Sequence, residues 1–221
     1  MDDDHPSIKG YSIEAIIGEG GMGRVYRALR VSDSRPVAVK VILPKTGALV
    51  PAELRMRFRR EMQVCSRLNH PGVVRTLDGG ITENNSTPYL VTELLEGTTL
   101  EHHPEFGELS KELAERMIRG VGETFAYYHE MGLVHRDIKP SNLFIENDGR
   151  VVLLDFGLVF VDDRTRLTRT TESPGTLLTM SPEQLFHNDL GPYTDVFQFA
   201  STLYISLTDK MAYDPMNLLH H

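Results

Sequence analysis

The glycine-rich segment of residues 18–25 has the residue types that a phosphate site needs. It reads Gly18-Glu19-Gly20-Gly21-Met22-Gly23-Arg24-Val25 and fits the pattern G-x-G-x-x-G-x-V. Glycines let backbone N–H groups approach a phosphate with no Cβ in the way. By itself the pattern is more typical of a hairpin turn. Residues 24–30 are predicted to form a strand, which excludes the strand–glycine–helix order of a dinucleotide fold, and no Gly-Lys-Ser/Thr closes a Walker loop.

A lysine at the end of an apolar strand is a second candidate, because Lys40 closes the run Val37-Ala38-Val39-Lys40. Most lysines at strand ends are simply solvated, but one held by a carboxylate of the next helix can bind a phosphate as a fixed point charge. Glu61 is the best candidate for that carboxylate. Glu53, at the start of the same predicted helix, suits an interaction with the helix dipole instead. An exposed helical glutamate is the ordinary interpretation of either residue.

The most specific pattern is the octet His135-Arg136-Asp137-Ile138-Lys139-Pro140-Ser141-Asn142. It matches H-R-D-x-x-x-x-N, with a lysine two residues after the aspartate, and four defined polar residues at fixed offsets are hard to obtain by chance. Asp155-Phe156-Gly157 then follows an apolar strand that should deliver Asp155 to a cleft. Met180-Ser181-Pro182-Glu183 and Asp195 come later in the chain.

These motifs, in this order over about residues 11–213, resemble the eukaryotic-type (Hanks-type) serine/threonine protein kinases. The Ser-Pro-Glu-Gln form of residues 181–184 is similar to that of bacterial members, and the lysine at 139 resembles the serine/threonine branch. The resemblance implies an α+β, two-lobed protein kinase fold. It also implies an enzyme that transfers the γ-phosphoryl group of ATP to serine or threonine hydroxyls of a protein substrate.

The resemblance further implies a role for each matched residue. Asp137 would be the catalytic base, Lys139 would steady the γ-phosphate, and Lys40, paired with Glu61, would hold the other phosphates. Asn142 and Asp155 would ligate Mg²⁺, with Mn²⁺ as a possible substitute. The backbone of Glu93 and Leu95 would bond to the edge of adenine, and Asp195 would brace the catalytic loop. The residues implied to contact ATP are Gly18, Gly20, Gly21, Gly23, Val25, Ala38, Lys40, Glu93, Leu95 and Leu143.

A threonine-rich segment, residues 162–179, stands where the family has its activation loop. Arg136 before the catalytic aspartate is the arrangement of kinases that are switched on by phosphorylation of this loop. Thr168, Thr170 and Thr171 are the candidates for that phosphate, which an arginine would hold in place, and Thr176 is a candidate for a structural contact with Asp137. Autophosphorylation in trans would need a homodimer, at least a transient one.

The elements that must position these residues are strand-rich at first and helix-rich later. An apolar stripe of Leu113, Met117, Val121, Phe125 and Tyr128 predicts one helix from an N-cap at Ser110 to Gly132. The predicted strands are 11–17, 24–30, 37–43, 73–77, 88–94, 143–146 and 151–154; the other predicted helices are 51–68, 182–186 and 195–207. We therefore divide the chain into a tail (1–10), an ATP-binding N-lobe (11–95) and a C-lobe with the catalytic and activation loops (96–221).

Composition excludes several other classes of protein. The 221 residues carry a net charge of −8, from 31 acidic and 23 basic residues, which argues against nucleic-acid binding. Cys65 is the only cysteine, so no intramolecular disulfide can form. The acidic amino terminus is unlike a signal peptide and no apolar run reaches the length of a membrane span, so we expect a cytoplasmic protein.

Two classes of function remain open, because the family continues through more helices than this sequence allows. The large lobe is therefore expected to be shortened. Glu183 would lack its usual arginine, and Phe199, Leu203 and Leu207 would be exposed. An active kinase is favoured because every residue needed for the chemistry is present. The alternative is a catalytically weak, kinase-like module that binds nucleotide or a partner. A small-molecule phosphotransferase of related fold is disfavoured by Lys139 and by the 175–183 segment.

Overall fold

The structure, a computed structural model, describes residues 6–20, 23–42, 58, 62–82, 87–156, 177–186 and 188–213. The chain forms two compact units. The first comprises Met1–Asn69 and Arg75–Leu95, and the second comprises His70–Val74 and Glu96–His221. Residues 70–74, which the sequence placed in the N-lobe, group with the second unit because Val74 N–H donates to Leu153 O at 3.0 Å. The strand expected at 73–77 accordingly begins later, at Thr76.

The first unit contains a five-stranded antiparallel sheet in the order β1-β2-β3-β5-β4. Its strands are β1 (Tyr11–Gly20), β2 (Gly23–Arg30), β3 (Arg35–Val41), β4 (Thr76–Ile81) and β5 (Pro88–Glu93). Side chains alternate between the two faces of a strand, so Val37, Val39 and Val41 of β3 are buried in one core. Ile8, from the predicted tail, packs into that same core.

Only part of the helix predicted over residues 51–68 is described. Phe58 and residues 62–65 are helical, and Phe58, Cys65 and Leu68 are buried as the spacing predicts. Glu61 lies outside the described residues, and so does its predicted pairing with Lys40.

The second unit is built around helix α1 (Lys111–Glu130). The hydroxyl of Ser110 accepts a hydrogen bond from Leu113 N–H at 3.3 Å, which confirms the predicted N-cap. All five residues of the predicted apolar stripe are buried. Gly132, two residues beyond the helix, has φ of 73°, the left-handed conformation that favours glycine after a helix end.

The described part of the second unit also contains a small sheet and two further α-helices. The sheet has the order β6-β7-β8, with β6 (Gly97–Thr99), β7 (Leu143–Glu146) and β8 (Val151–Leu153). Helix α2 covers Pro182–Leu185. Helix α3 covers Pro192–Thr208 and begins three residues earlier than predicted. No helix within the described ranges combines the length and the hydropathy of a membrane-spanning segment.

Helix α3 is more buried than the sequence analysis predicts. Phe199 is buried, because its ring packs edge-on against Phe125 of α1 at 5.8 Å, so the predicted exposure of Phe199 is wrong. Leu203 is partly buried, and Leu207 is exposed as expected, together with Tyr193, Val196 and Tyr204 on the same helix.

Candidate active site

Asp137, the predicted catalytic base, contacts two other predicted site residues, Lys139 and the predicted metal ligand Asn142. Asp137 Oδ2 lies 3.0 Å from Asn142 Nδ2 and 3.2 Å from Lys139 Nζ. A 3₁₀ turn over Pro140–Asn142 folds the amide back, so that Asn142 Nδ2 also donates to the Asp137 carbonyl at 2.8 Å. The amide nitrogen of Asn142 is committed to Asp137, and its oxygen is the atom suited to a hard cation.

The loop that carries Asp137 is anchored by the buried carboxylate of Asp195, at the start of α3. Asp195 has no exposed surface and accepts four hydrogen bonds. The donors are Tyr128 Oη (2.8 Å), His129 Nε2 (2.9 Å), and the backbone N–H groups of His135 (2.9 Å) and Arg136 (2.7 Å). Burial by itself raises the pKa of Asp195, but the hydrogen bonds from His129 and from the two backbone N–H groups outweigh it, so the pKa lies below its ordinary value.

Arg136 has a strained backbone that these contacts hold in place. Its φ of 64° is left-handed, which for a non-glycine residue costs about 1–3 kcal/mol. Its N–H is bound by Asp195, while its carbonyl accepts from Gln184 Nε2 (2.9 Å) and Gln198 Nε2 (3.2 Å). Within the described part of the chain, the buried Nε of Arg136 has no hydrogen-bond partner.

The second predicted metal ligand follows the hairpin of β7 and β8. Leu154 N–H donates to Asn142 O at 2.9 Å, so the backbone just before Asp155 is bonded to that of the other predicted ligand. His135 joins the two segments. Its Nε2 lies 2.8 Å from Leu154 O and its Nδ1 accepts from Asp137 N–H at 3.3 Å, which assigns the ring proton to Nε2.

The residue after Asp155 is locked into the core of the second unit. Phe156 is buried, with edge-on ring contacts of 4.7 Å to both Tyr128 and His135. Asp155 itself has φ of 62°, a second left-handed non-glycine residue next to the site. Two strained residues at one site indicate a geometry that the surrounding structure imposes.

In the first unit, strand register places the predicted nucleotide contacts on one face of the sheet. Gly18 pairs with Val25, and Val25 pairs with Lys40. Residues opposite each other in antiparallel strands share a face, and Ala38 shares it with Lys40 because the two are separated by one residue. This face is only partly buried, whereas the opposite face forms the core.

The glycines at the turn between β1 and β2 have different structural reasons. Gly23 has φ of 138°, and a Cβ there would overlap the carbonyl oxygen of Val41, so the fold itself requires glycine. A Cβ on Gly20 would meet no described atom within 4 Å. The described residues therefore give no steric reason for glycine at position 20. Gly21 lies outside the described residues.

The remaining predicted nucleotide contacts differ in their accessibility. Glu93 ends β5 and is tied to Arg75, with its N–H donating to Arg75 O at 3.0 Å and its Oε1 accepting from Arg75 N–H at 2.9 Å. Leu95 follows it and is partly buried. Leu143, however, has no exposed surface, which argues against its predicted contact with adenine. Its neighbour Phe144 is partly buried and points to the other face of β7.

Glu183 accepts a hydrogen bond from helix α3. The buried hydroxyl of Thr194 donates to Glu183 Oε1 at 2.8 Å. Burial and the nearby Glu183 charge raise the pKa of Tyr213 to about 12.

Sequence reasoning missed several polar residues that hold the site, namely Tyr128, His129, Gln184, Gln198 and Thr194. A signal for one of them exists, because Asp195, Gln198 and Thr202 recur at helical spacing and are all buried. The threonines predicted as phosphate acceptors, Thr168, Thr170 and Thr171, lie outside the described residues, as does Thr176.

Comparison with known proteins identifies the family. The sequence profile of the protein kinase domain matches residues 11–219. The chain therefore belongs to the protein kinase domain family.

Two curated bacterial proteins show the level of similarity. The serine/threonine-protein kinase PknL of Mycobacterium tuberculosis is 38% identical over 199 residues, which cover 90% of this chain and 49% of PknL. The serine/threonine-protein kinase PknA of the same organism is 35% identical over 204 residues, covering 90% of this chain and 47% of PknA. The chain thus spans about half the length of these relatives.

Solved structures show the same fold. The kinase domain of M. tuberculosis PknI superimposes with a TM-score of 0.73 at 24% identity, covering 95% of this chain and 78% of that domain. The apo form of PpkA-294 gives a TM-score of 0.75 at 25% identity, covering 97% of this chain and 85% of the other. The two-lobed protein kinase fold implied by the motifs is confirmed.

Proposed function

We propose that this chain is an ATP-dependent protein serine/threonine kinase that transfers the γ-phosphoryl group of ATP to hydroxyl groups of a protein substrate. The observation that carries the proposal is the contact of Asp137 with Lys139 and Asn142 on a loop anchored by a buried carboxylate. Phosphoryl transfer requires mainly positioning and neutralisation of charge, and a preorganised loop of this kind supplies both.

The predicted catalytic and metal-binding residues of the second unit each have a role in this proposal. Asp137 accepts the proton of the attacking hydroxyl, and Lys139, held 3.2 Å from Asp137 Oδ2, places its positive charge beside the transferred group. Asn142 and Asp155 offer an amide oxygen and a carboxylate, the hard oxygen donors that suit Mg²⁺. When bound, Mg²⁺ neutralises phosphate charge.

The first unit contributes the residues that bind nucleotide. The shared face of Val25, Ala38 and Lys40 offers two apolar side chains for adenine and one cation for phosphate. The backbone at Gly20 is proposed to lie beside the phosphates. The backbone of Glu93 and Leu95 bonds to the edge of adenine. Because Leu143 is fully buried, we leave it out of the proposed nucleotide contacts.

Arg136 supports regulation by a phosphate on the chain itself. A guanidinium with a buried Nε and no described hydrogen-bond partner for that nitrogen is suited to bind an oxyanion. Thr170 and Thr168 are the acceptors that we favour, each phosphorylated by a second copy of the chain.

The test is incubation of the purified protein with Mg²⁺ and γ-labelled ATP, comparing wild type with Asp137→Asn. The substitution keeps an oxygen to accept from Asn142 but removes the base, and we expect a loss of at least about 100-fold in rate. Asp148→Asn is the matched control, since it neutralises an exposed turn aspartate of the same unit.

Phosphosite mapping and protein concentration complete the test. Label on Thr168 or Thr170 whose rate rises with protein concentration supports phosphorylation between copies. If folded protein binds ATP and transfers no phosphate to itself or to a protein substrate, the kinase proposal fails and the chain is a nucleotide-binding module.

A further inference from the structure

Helix α3 carries a buried amide side chain that the proposed reaction does not use directly. Gln198 is only 2% exposed. Its Oε1 accepts from Ile138 N–H at 2.9 Å, and its Nε2 donates to the Arg136 carbonyl at 3.2 Å. These two groups belong to the peptide bonds on either side of Asp137. One side chain from α3 therefore holds both peptide groups that flank the proposed catalytic base.

A second amide, from α2, closes the network. Gln184 Nε2 donates to the same Arg136 carbonyl at 2.9 Å, and Gln184 Oε1 accepts from Gln198 Nε2 at 2.8 Å and from Ser181 N–H at 3.1 Å. Every bond joins a donor to an acceptor in one consistent orientation of both amides, so neither amide can flip without opposing like groups. Thr202 Oγ1 adds a long bond of 3.4 Å to the Ile138 carbonyl.

These bonds hold the backbone on either side of Asp137, which the partners of its side chain do not contact in the same way. Lys139 and Asn142 contact the carboxylate itself. The direction in which that carboxylate leaves the chain is set by the φ and ψ angles of Asp137, which the two flanking peptide groups determine. A tether on both peptides thus fixes the carboxylate through the backbone.

We propose that Gln198, supported by Gln184, is a positioning residue that sets the orientation of Asp137 for phosphoryl transfer. This inference rests on the kinase function proposed above. It explains why a polar side chain is buried one helical turn after Asp195. Asp195 itself anchors the loop at a different point, the N–H groups of His135 and Arg136.

Gln198→Met tests the proposal, because methionine has similar length and volume and can make neither bond. We expect kcat to fall by about 10- to 100-fold, the effect of misplacing a reacting group by roughly 1 Å. The KM for ATP should change by less than about twofold, because the lost bonds hold the loop and not the nucleotide. Gln184→Met should lower kcat less, since Gln198 still binds both peptides.

Ser206→Ala is the matched control. Ser206 is buried on the same helix, and its hydroxyl donates to the Thr202 carbonyl of that helix at 2.8 Å. The Ser206→Ala variant should keep the wild-type kcat. A merely structural role for Gln198 would lower the thermal midpoint and leave the kcat of the folded fraction unchanged, and that result overturns the proposal.

Hydrogen exchange of the Ile138 amide separates this proposal from the proposed function. If wild-type protein transfers no phosphate, the kinase function fails, yet the tether is still measured by exchange at Ile138. Faster exchange in Gln198→Met than in Ser206→Ala supports it, and equal protection overturns it. If Gln198→Met does not fold, Gln198→Asn, whose side chain is one methylene too short to reach both peptides, is measured for kcat and Ile138 exchange by the same criteria.

Discussion

Replacing the buried carboxylate of Asp195 by an amide should be among the most destabilising isosteric changes in this chain. The carboxylate accepts one hydrogen bond at Oδ1, from Arg136 N–H, and three at Oδ2. Asparagine has only one oxygen, and in its lower-energy orientation that oxygen keeps the three bonds made at Oδ2. Its NH₂ group then faces Arg136 N–H, so that two donors face each other. That lost charge-assisted bond costs about 1.5–3 kcal/mol, and the three others lose roughly half their strength with the charge. We expect Asp195→Asn to lower the free energy of unfolding by about 3–5 kcal/mol.

The measurement is urea unfolding followed by circular dichroism, with Asp189→Asn as the control. Asp189 is exposed just before the same helix, so its variant makes the same change of charge without removing a buried acceptor. A loss of about 3–5 kcal/mol is a large share of the stability of an ordinary domain, about 5–15 kcal/mol. A loss below about 1 kcal/mol would refute the conclusion that Asp195 anchors the loop.

The difference in stability between wild type and Asp195→Asn should depend on pH. The pKa of folded Asp195 lies below the ordinary value of 3.8, so its contribution to stability is complete above that value and is lost as pH falls through the folded pKa. The difference in unfolding free energy between wild type and Asp195→Asn should therefore be constant near neutral pH and shrink in acid below about pH 4. A difference that grows on acidification would contradict the assignment of a charged carboxylate.

Four further substitutions test three separate parts of the structure. Gly23→Ala should lower the thermal midpoint of the first unit, because the added Cβ overlaps a neighbouring strand. Gly20→Ala should leave the midpoint unchanged and raise the KM for ATP. Equal midpoints for the two variants would show that the overlap is relieved. Ser110→Ala removes an N-cap and should cost about 1 kcal/mol in urea unfolding. Thr194→Val leaves Glu183 without its donor and should cost about 1–3 kcal/mol, and a neutral effect would mean that water replaces the hydroxyl.

The parts of the fold that the sequence predicts well depend on short-range spacing. The stripe from Leu113 to Tyr128 needs only the period of the helix, and the turn between β1 and β2 needs only two strands around a glycine run. The contact of Asp137 with Lys139 and Asn142 is also local, because the three lie within six residues joined by a proline turn. Burial of Phe199 was not predictable in the same way, since it depends on packing of α3 against α1.

Residue types at short, fixed offsets are enough to predict the family, the order of elements and the residues that could do chemistry. The tertiary structure decided which polar groups hold those residues in place. Asp195 and Gln198 reach the catalytic loop from about sixty residues away, and Leu143 rather than Phe144 faces the core because strand pairing fixed the phase of β7. Such pairings follow from how helices and strands pack, which no local spacing specifies.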